Sequence, residues 1–129
     1  MKGSYILVIA LEQEKIIKIG SLGKLIFPQG FYLYVGSAMG RYGSTTLLNR
    51  VKRHLLNSKI FHWHIDYFLK DESTSIRKIY LVPSVNSLEC IIAQDLLTKS
   101  KGYIRNFGSS DCKCPGHLFW FKDLRNINI

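Results

Sequence analysis

The sequence predicts a single α/β domain over residues 1–129, with a small, mainly antiparallel sheet flanked by helices. Three observations carry that reading. Residues 4–11 are continuously apolar and β-branched, as in a strand covered on both faces. Residues 30–37 alternate, rich in aromatics, after only short turn-punctuated pieces. Two helix-length stretches follow, about 44–57 and 87–99, and no linker composition divides the chain.

The elements follow in order. Ser4 to Leu11 is a central strand, and Lys15 to Ile19 is a second, short one. Gly20 and Gly23 mark a turn, and Leu25-Ile26-Phe27 is a further extended piece before Pro28 and Gly30. From Gly30 to Ser37, Phe31, Leu33 and Val35 take one face, while Tyr32, Tyr34 and Gly36 take the other. Gly40 and Gly43 open a loop around Arg41, and Ser44 is the candidate N-cap of a helix reaching about Asn57. Leu47, Leu48, Val51 and Leu55 form its expected core stripe, with Arg50 and His54 paired four apart on a flank. Residues 60–69 read as a turn and a short helix, and Ile76 to Val82 as a strand ended by Pro83. A helix from about Ser87 to Lys99 precedes a Gly, Ser, Cys and Pro punctuated segment and a last strand-like run, His117 to Phe121.

Composition sets the class. The chain is 47% hydrophobic and 21% charged, which excludes intrinsic disorder, and at 129 residues it buries enough surface to fold without a disulfide or metal staple. No heptad, Gly-X-Y period or internal repeat is present. The longest apolar run, Tyr5 to Leu11, is too short to cross a bilayer, and Glu12 and Glu14 follow it where a signal peptide would need small residues. Three cysteines, two of them in Cys112-Lys113-Cys114, make no secreted disulfide framework, so the expected location is the reducing cytoplasm. A formal charge of +9, spread along the chain, points to a polyanionic partner and a folded basic face, with no membrane association expected.

Gly3-Ser4-Tyr5 and Tyr34-Val35-Gly36-Ser37-Ala38 lie on strands expected to be neighbours; Arg50-Val51-Lys52-Arg53-His54 and Glu89 lie on the two helices. In that order the chain resembles the GIY-YIG nuclease superfamily, and in particular a small, stand-alone, largely archaeal branch of it. Stretches similar to His62-Trp63-His64-Ile65-Asp66-Tyr67 and Phe107 to Leu118 recur in that branch, so the resemblance covers nearly the whole chain. Ser4 departs from the family's usual apolar residue, and the loop from Gly36 to Arg50 is longer than usual by more than a helical turn.

The resemblance implies a Mg²⁺- or Mn²⁺-dependent DNA endonuclease, with branched or damaged DNA as a candidate substrate and repair or recombination as the setting; an RNA-directed role is a separate reading, without the paired stacking-aromatic motif of an RNA-recognition domain to support it. Glu89 would hold the metal, Arg50 would donate to the phosphate in fork geometry, Tyr5 would activate the attacking water and Tyr34 orient it. A tyrosine is a poor base at neutral pH unless a metal, an arginine or a histidine favours the phenolate; His54 or His62 would accept its proton. Arg41, Lys52, Arg53 and Lys59 are the candidate nucleic-acid contacts.

Plainer readings of the same residues stay open at this point. The tyrosines suit core packing, Arg50 a solvated helix face, and Trp63 a core position. Asn86-Ser87-Leu88-Glu89 suits a capping box with Glu89 as its acid. Asp111, Cys112, Cys114 and His117 include zinc-type donors, but one residue between the cysteines is unlike the usual two to four, which favours a structural turn with Ser109, Ser110 or His117 reaching the cleft. On a helix His62 and His64 would point apart. The rival to an enzyme is a non-catalytic nucleic-acid-binding module built on the same basic face. The sequence leaves the oligomeric state open.

Overall fold

The computed structural model describes residues 1–56, 59–109 and 114–125. The elements are β1 (Gly3–Leu11), β2 (Lys15–Lys18), β3 (Lys24–Phe27), β4 (Gly30–Ala38), α1 (Leu47–His54), α2 (His64–Lys70), β5 (Thr74–Pro83), α3 (Glu89–Lys99), β6 (Gly102–Tyr103) and β7 (Leu118–Phe121). Five strands form one sheet in the order β5-β1-β4-β7-β6, all neighbours antiparallel, while β2 and β3 make a separate hairpin. The chain is therefore a single small α/β domain with helices on both faces of an antiparallel sheet. No helix among the described residues is long and apolar enough to cross a membrane.

β1 is buried along its whole length because both its faces are covered. Tyr5, Leu7, Ile9 and Leu11 face a core with Tyr32 and Tyr34 of β4, Leu47 and Val51 of α1, and Ile65 and Phe68 of α2; Ile17 and Phe27 of the hairpin close it. Ile6 and Val8 face the opposite core with Leu33, Val35, Phe119 and Phe121, and Ala93 and Leu96 of α3 cover them. The period-two alternation of β4 thus sorts its two tyrosines to one side and Phe31, Leu33 and Val35 to the other. β5 and the two-residue β6 form the edges, and Pro83 ends β5 where a missing N–H costs no ladder bond.

Two helices depart from expectation. A 3₁₀ turn at Gly43–Thr45 precedes α1, Thr46 rather than Ser44 accepts the capping bond from the Asn49 N–H, and the helix ends at His54 instead of near Asn57. Its inward stripe is Leu47, Val51 and His54, whereas Leu48 and Leu55 are 49% and 53% exposed. The buried Tyr5 hydroxyl needs a polar partner, and docking α1 with His54 inward supplies one at the expense of Leu55. α3 starts at Glu89, two residues later than expected, with Leu88 at the cap and no side-chain capping bond. The Asn86–Glu89 capping box does not form, and the Glu89 carboxylate turns elsewhere.

The core beneath β4 is an aromatic trio in which Phe68 lies 4.9 Å from Phe27 and 5.1 Å from Tyr32, ring centre to ring centre. Phe68→Ala should cost about 3–5 kcal/mol in chemical denaturation. Leu48→Ala should cost under ~0.5 kcal/mol, and a large loss there would mean that Leu48 belongs to the buried stripe after all.

Candidate active site

A cleft of about 260 Å³ opens beside the first half of β1, with walls supplied by the ends of β1 and β4, by α1, by the start of α3 and by the segment leading into β7. Tyr5, Tyr34, Arg50, His62, Glu89 and His117 all line it. Tyr5 pairs with Gly36 across the β1–β4 ladder, and a Cβ on Gly36 would sit inside the Tyr5 phenol ring. The glycine of Tyr34-Val35-Gly36 is thus a seat for the tyrosine of the neighbouring strand. Tyr34 lies 6.4 Å from Tyr5, ring to ring, and is packed by Phe107 and by Gly108, whose φ of +68° suits only glycine without strain.

His54 stands behind Tyr5, with Nε2 2.6 Å from the phenol oxygen, while its Nδ1 is buried with no partner among the described residues. It lines a separate pocket rather than the cleft. Burial, then the charges of Lys59, Arg53 and Arg50 against the opposing pull of Asp66, push His54 down to about 4, so it is neutral at pH 7. Burial also raises Tyr5 well above its ordinary value, with Tyr34 adding to the rise and Arg50 only partly opposing it. Tyr34 is raised by burial and by the Glu89 and Asp66 carboxylates. Both shifts favour the protonated phenol, so neither tyrosine starts as a phenolate.

Arg50 is the one permanent cation lining the cleft among the described residues. Its Nη1 donates to the Ser37 carbonyl at 2.9 Å, its guanidinium lies 4.9 Å from the centre of the Trp63 ring, and its buried Nε–H has no hydrogen-bond partner among the described residues. A buried donor left so is costly, and an anion in the cleft is the natural acceptor. Glu89 faces it from α3: Ser37 Oγ donates to Oε2 at 2.9 Å and His117 Nδ1 lies 2.9 Å from Oε1.

The remaining wall is held by Asp66, which the sequence reading did not single out. Burial would raise its carboxyl, but the Arg53 side chain and the Trp63 and His62 N–H groups hold it below the usual range. Arg53 grips it bidentately at 2.9 and 3.0 Å, and the two N–H groups approach at 2.9 and 2.8 Å. Trp63-x-x-Asp66 is the spacing of a first-turn acid reaching back to its N-cap, and that signal was legible. Because His62 and Trp63 precede α2 instead of lying on it, His62 and His64 both reach the cleft rather than pointing apart. His64 Nδ1 accepts the Gly108 N–H at 3.0 Å, and burial lowers its pKa. Trp63 is stacked by Arg50 and Arg53 and lines the cleft, so it is no simple core residue.

The expected nucleic-acid contacts divide. Arg41 and Lys52 are exposed and lie outside the cleft. Arg53 is committed to Asp66, and Lys59 Nζ donates to the Arg53 and His54 carbonyls, closing the end of α1. Both side chains are thus engaged in holding α1 and the turn before α2 together. Asp111 and Cys112 lie outside the described residues, while Cys114 packs on the α3 side of the sheet and His117 reaches the cleft as one of three candidates.

Residues 4–128 match the family described as Domain of unknown function DUF123, and the chain belongs to it. No curated protein and no solved structure matches the chain.

Since folding lowers the His54 pKa from 6.5 to about 4, the unfolded chain binds more protons between those values. The neutral burial of His54 is fully favourable above pH 6.5 and is lost as pH falls toward 4. Between pH 7 and 5 the protein should lose ~2 kcal/mol of unfolding free energy through this group, with His64 adding in the same direction. Denaturation midpoints across that range should fall for the wild type and change less for His54→Gln; equal slopes would mean that His54 is not buried neutral.

Proposed function

We propose that this cleft hydrolyses phosphodiester bonds in DNA, the activity implied by the resemblance to the GIY-YIG nucleases. The observation that carries the proposal is the convergence of Tyr5, Tyr34, Arg50 and Glu89 on one cleft from β1, β4, α1 and α3, with the Arg50 Nε–H unpartnered among the described residues. Packing alone has no use for a buried arginine donor facing a carboxylate across a polar cleft.

Magnesium or manganese fits the donor chemistry, because such ions are content with one or two carboxylates and keep several waters, and Glu89 offers a carboxylate on the cleft wall. Glu89 would hold the ion, which when bound supplies positive charge to the phosphate and to the leaving oxygen. Ser37, donating to Oε2, and His117, against Oε1, keep the carboxylate in place. Arg50 would bind a non-bridging phosphate oxygen through Nε, with its plane held by Trp63 and the Ser37 carbonyl.

A protonated Tyr5 acts as a relay rather than a base. The attacking water passes a proton to the Tyr5 oxygen as the phenol proton moves to His54 Nε2, 2.6 Å away. The water oxygen forms its bond to phosphorus as the bond to the leaving oxygen breaks, and that oxygen takes a proton from solvent. A neutral His54 is able to receive the proton, whereas an imidazolium is not. Tyr34 orients the water. The net charge of +9 draws the polyanion and makes binding dependent on salt.

Purified protein incubated with supercoiled plasmid, branched duplex and single-stranded DNA should cleave with Mg²⁺ or Mn²⁺ and not with chelator. Arg50→Ala and Glu89→Gln should each lose ~100- to 1000-fold in single-turnover rate while still binding DNA. Tight, salt-sensitive binding without cleavage under any metal would replace the nuclease by a binding module. A fully active Glu89→Gln protein would remove the metal assignment.

A further inference from the structure

A second donor cluster adjoins the cleft. The ligand atoms of Cys90, Cys114 and His117 lie within 4.8 Å of one another. Cys90 is the second residue of α3, next to Glu89, whereas Cys114 and His117 lie on the segment entering β7. We propose that these three side chains bind a thiolate-preferring divalent cation, zinc, distinct from the oxygen-seeking ion proposed at Glu89.

Two sulfurs and an imidazole are the donor set of zinc and a poor one for magnesium. Tetrahedral bonds of ~2.3 Å to sulfur and ~2.0 Å to nitrogen put the donors ~3.5–3.8 Å apart, so the observed spread closes on a metal with a contraction of about 1 Å. The second observation is the contact of Glu89 with His117. Metal-bound imidazoles characteristically have a carboxylate beside the other ring nitrogen, and Glu89 Oε1 stands 2.9 Å from His117 Nδ1. The metal's fourth position goes to water.

The Cys112-Lys113-Cys114 spacing argued against zinc because it looked for neighbouring ligands in sequence. The structure brings in Cys90 from α3, 24 residues before Cys114 (114 − 90). Zinc there ties the first turn of α3 to the segment entering β7 and fixes His117, with no dependence on the nuclease reading.

The test uses the full chain, reduced and stripped with chelator, then titrated with Co²⁺ and Zn²⁺. Wild-type protein should develop a thiolate-to-cobalt charge-transfer band with the visible bands of tetrahedral cobalt, and about one equivalent of zinc should displace it. Cys90→Ser and Cys114→Ser should each abolish the charge-transfer band or weaken binding by more than ~100-fold. Glu89→Gln should keep the band and weaken zinc binding by ~10- to 100-fold. Circular dichroism checks that each variant is folded. A wild-type titration without a thiolate band, or a Cys90→Ser, Cys114→Ser double variant that still holds the metal, would overturn the site; the first is read on unmodified protein and does not depend on any variant folding.

Discussion

The hydrogen bond between Tyr5 and His54 is the constraint around which the cleft side of the sheet is arranged. A phenol on an inner strand, 2% exposed, needs a fixed polar partner on its core side, so a polar side chain is brought into the core. That requirement turns α1 so that a histidine, not a leucine, completes its inward stripe, and the same turn carries Arg50 to the cleft. The ring itself is seated only because the residue opposite it on β4 is a glycine. Tyrosine, glycine, histidine and arginine are thus one mechanical unit drawn from three elements.

Asp66 does for the turn that carries His62, Trp63 and His64 what His54 does for Tyr5. Burying a carboxylate costs several kcal/mol unless its oxygens are well paired, and here an arginine fork and two backbone N–H groups meet it. The result is a rigid turn that presents His62, Trp63 and His64 to the cleft, with Trp63 under two guanidinium groups. Basic residues near α1 are partly used up in this way. Arg53 and Lys59 hold helix and turn together, and the exposed Arg41 and Lys52 remain among those able to meet a polyanion.

Glu89 occupies the junction between two chemistries. Its oxygens touch Ser37 beside the arginine cleft and His117 beside the two cysteines, so its position bears on both. A carboxylate that merely capped α3 would have turned back to its own helix; this one turns to β4 and to the β7 approach.

Much of the framework was legible in the sequence because it depends on local rules. Unbroken apolarity marked β1 as covered on both faces, and strict alternation sorted β4 into two cores. The order of tyrosine, tyrosine, arginine and glutamate was visible too, and the fold gathers all four. What sequence could not supply was rotation and long-range pairing. Periodicity sees Leu55 and His54 as neighbours on one helix and prefers the leucine inside, since nothing local announces a phenol waiting on β1. Spacing rules look for ligands a few residues apart, so Cys90 was invisible to them, and a capping box is favoured by its sequence until tertiary partners claim its acid. Those decisions are made by contacts between residues 24 to 52 positions apart, whose energies exist only once the sheet has formed.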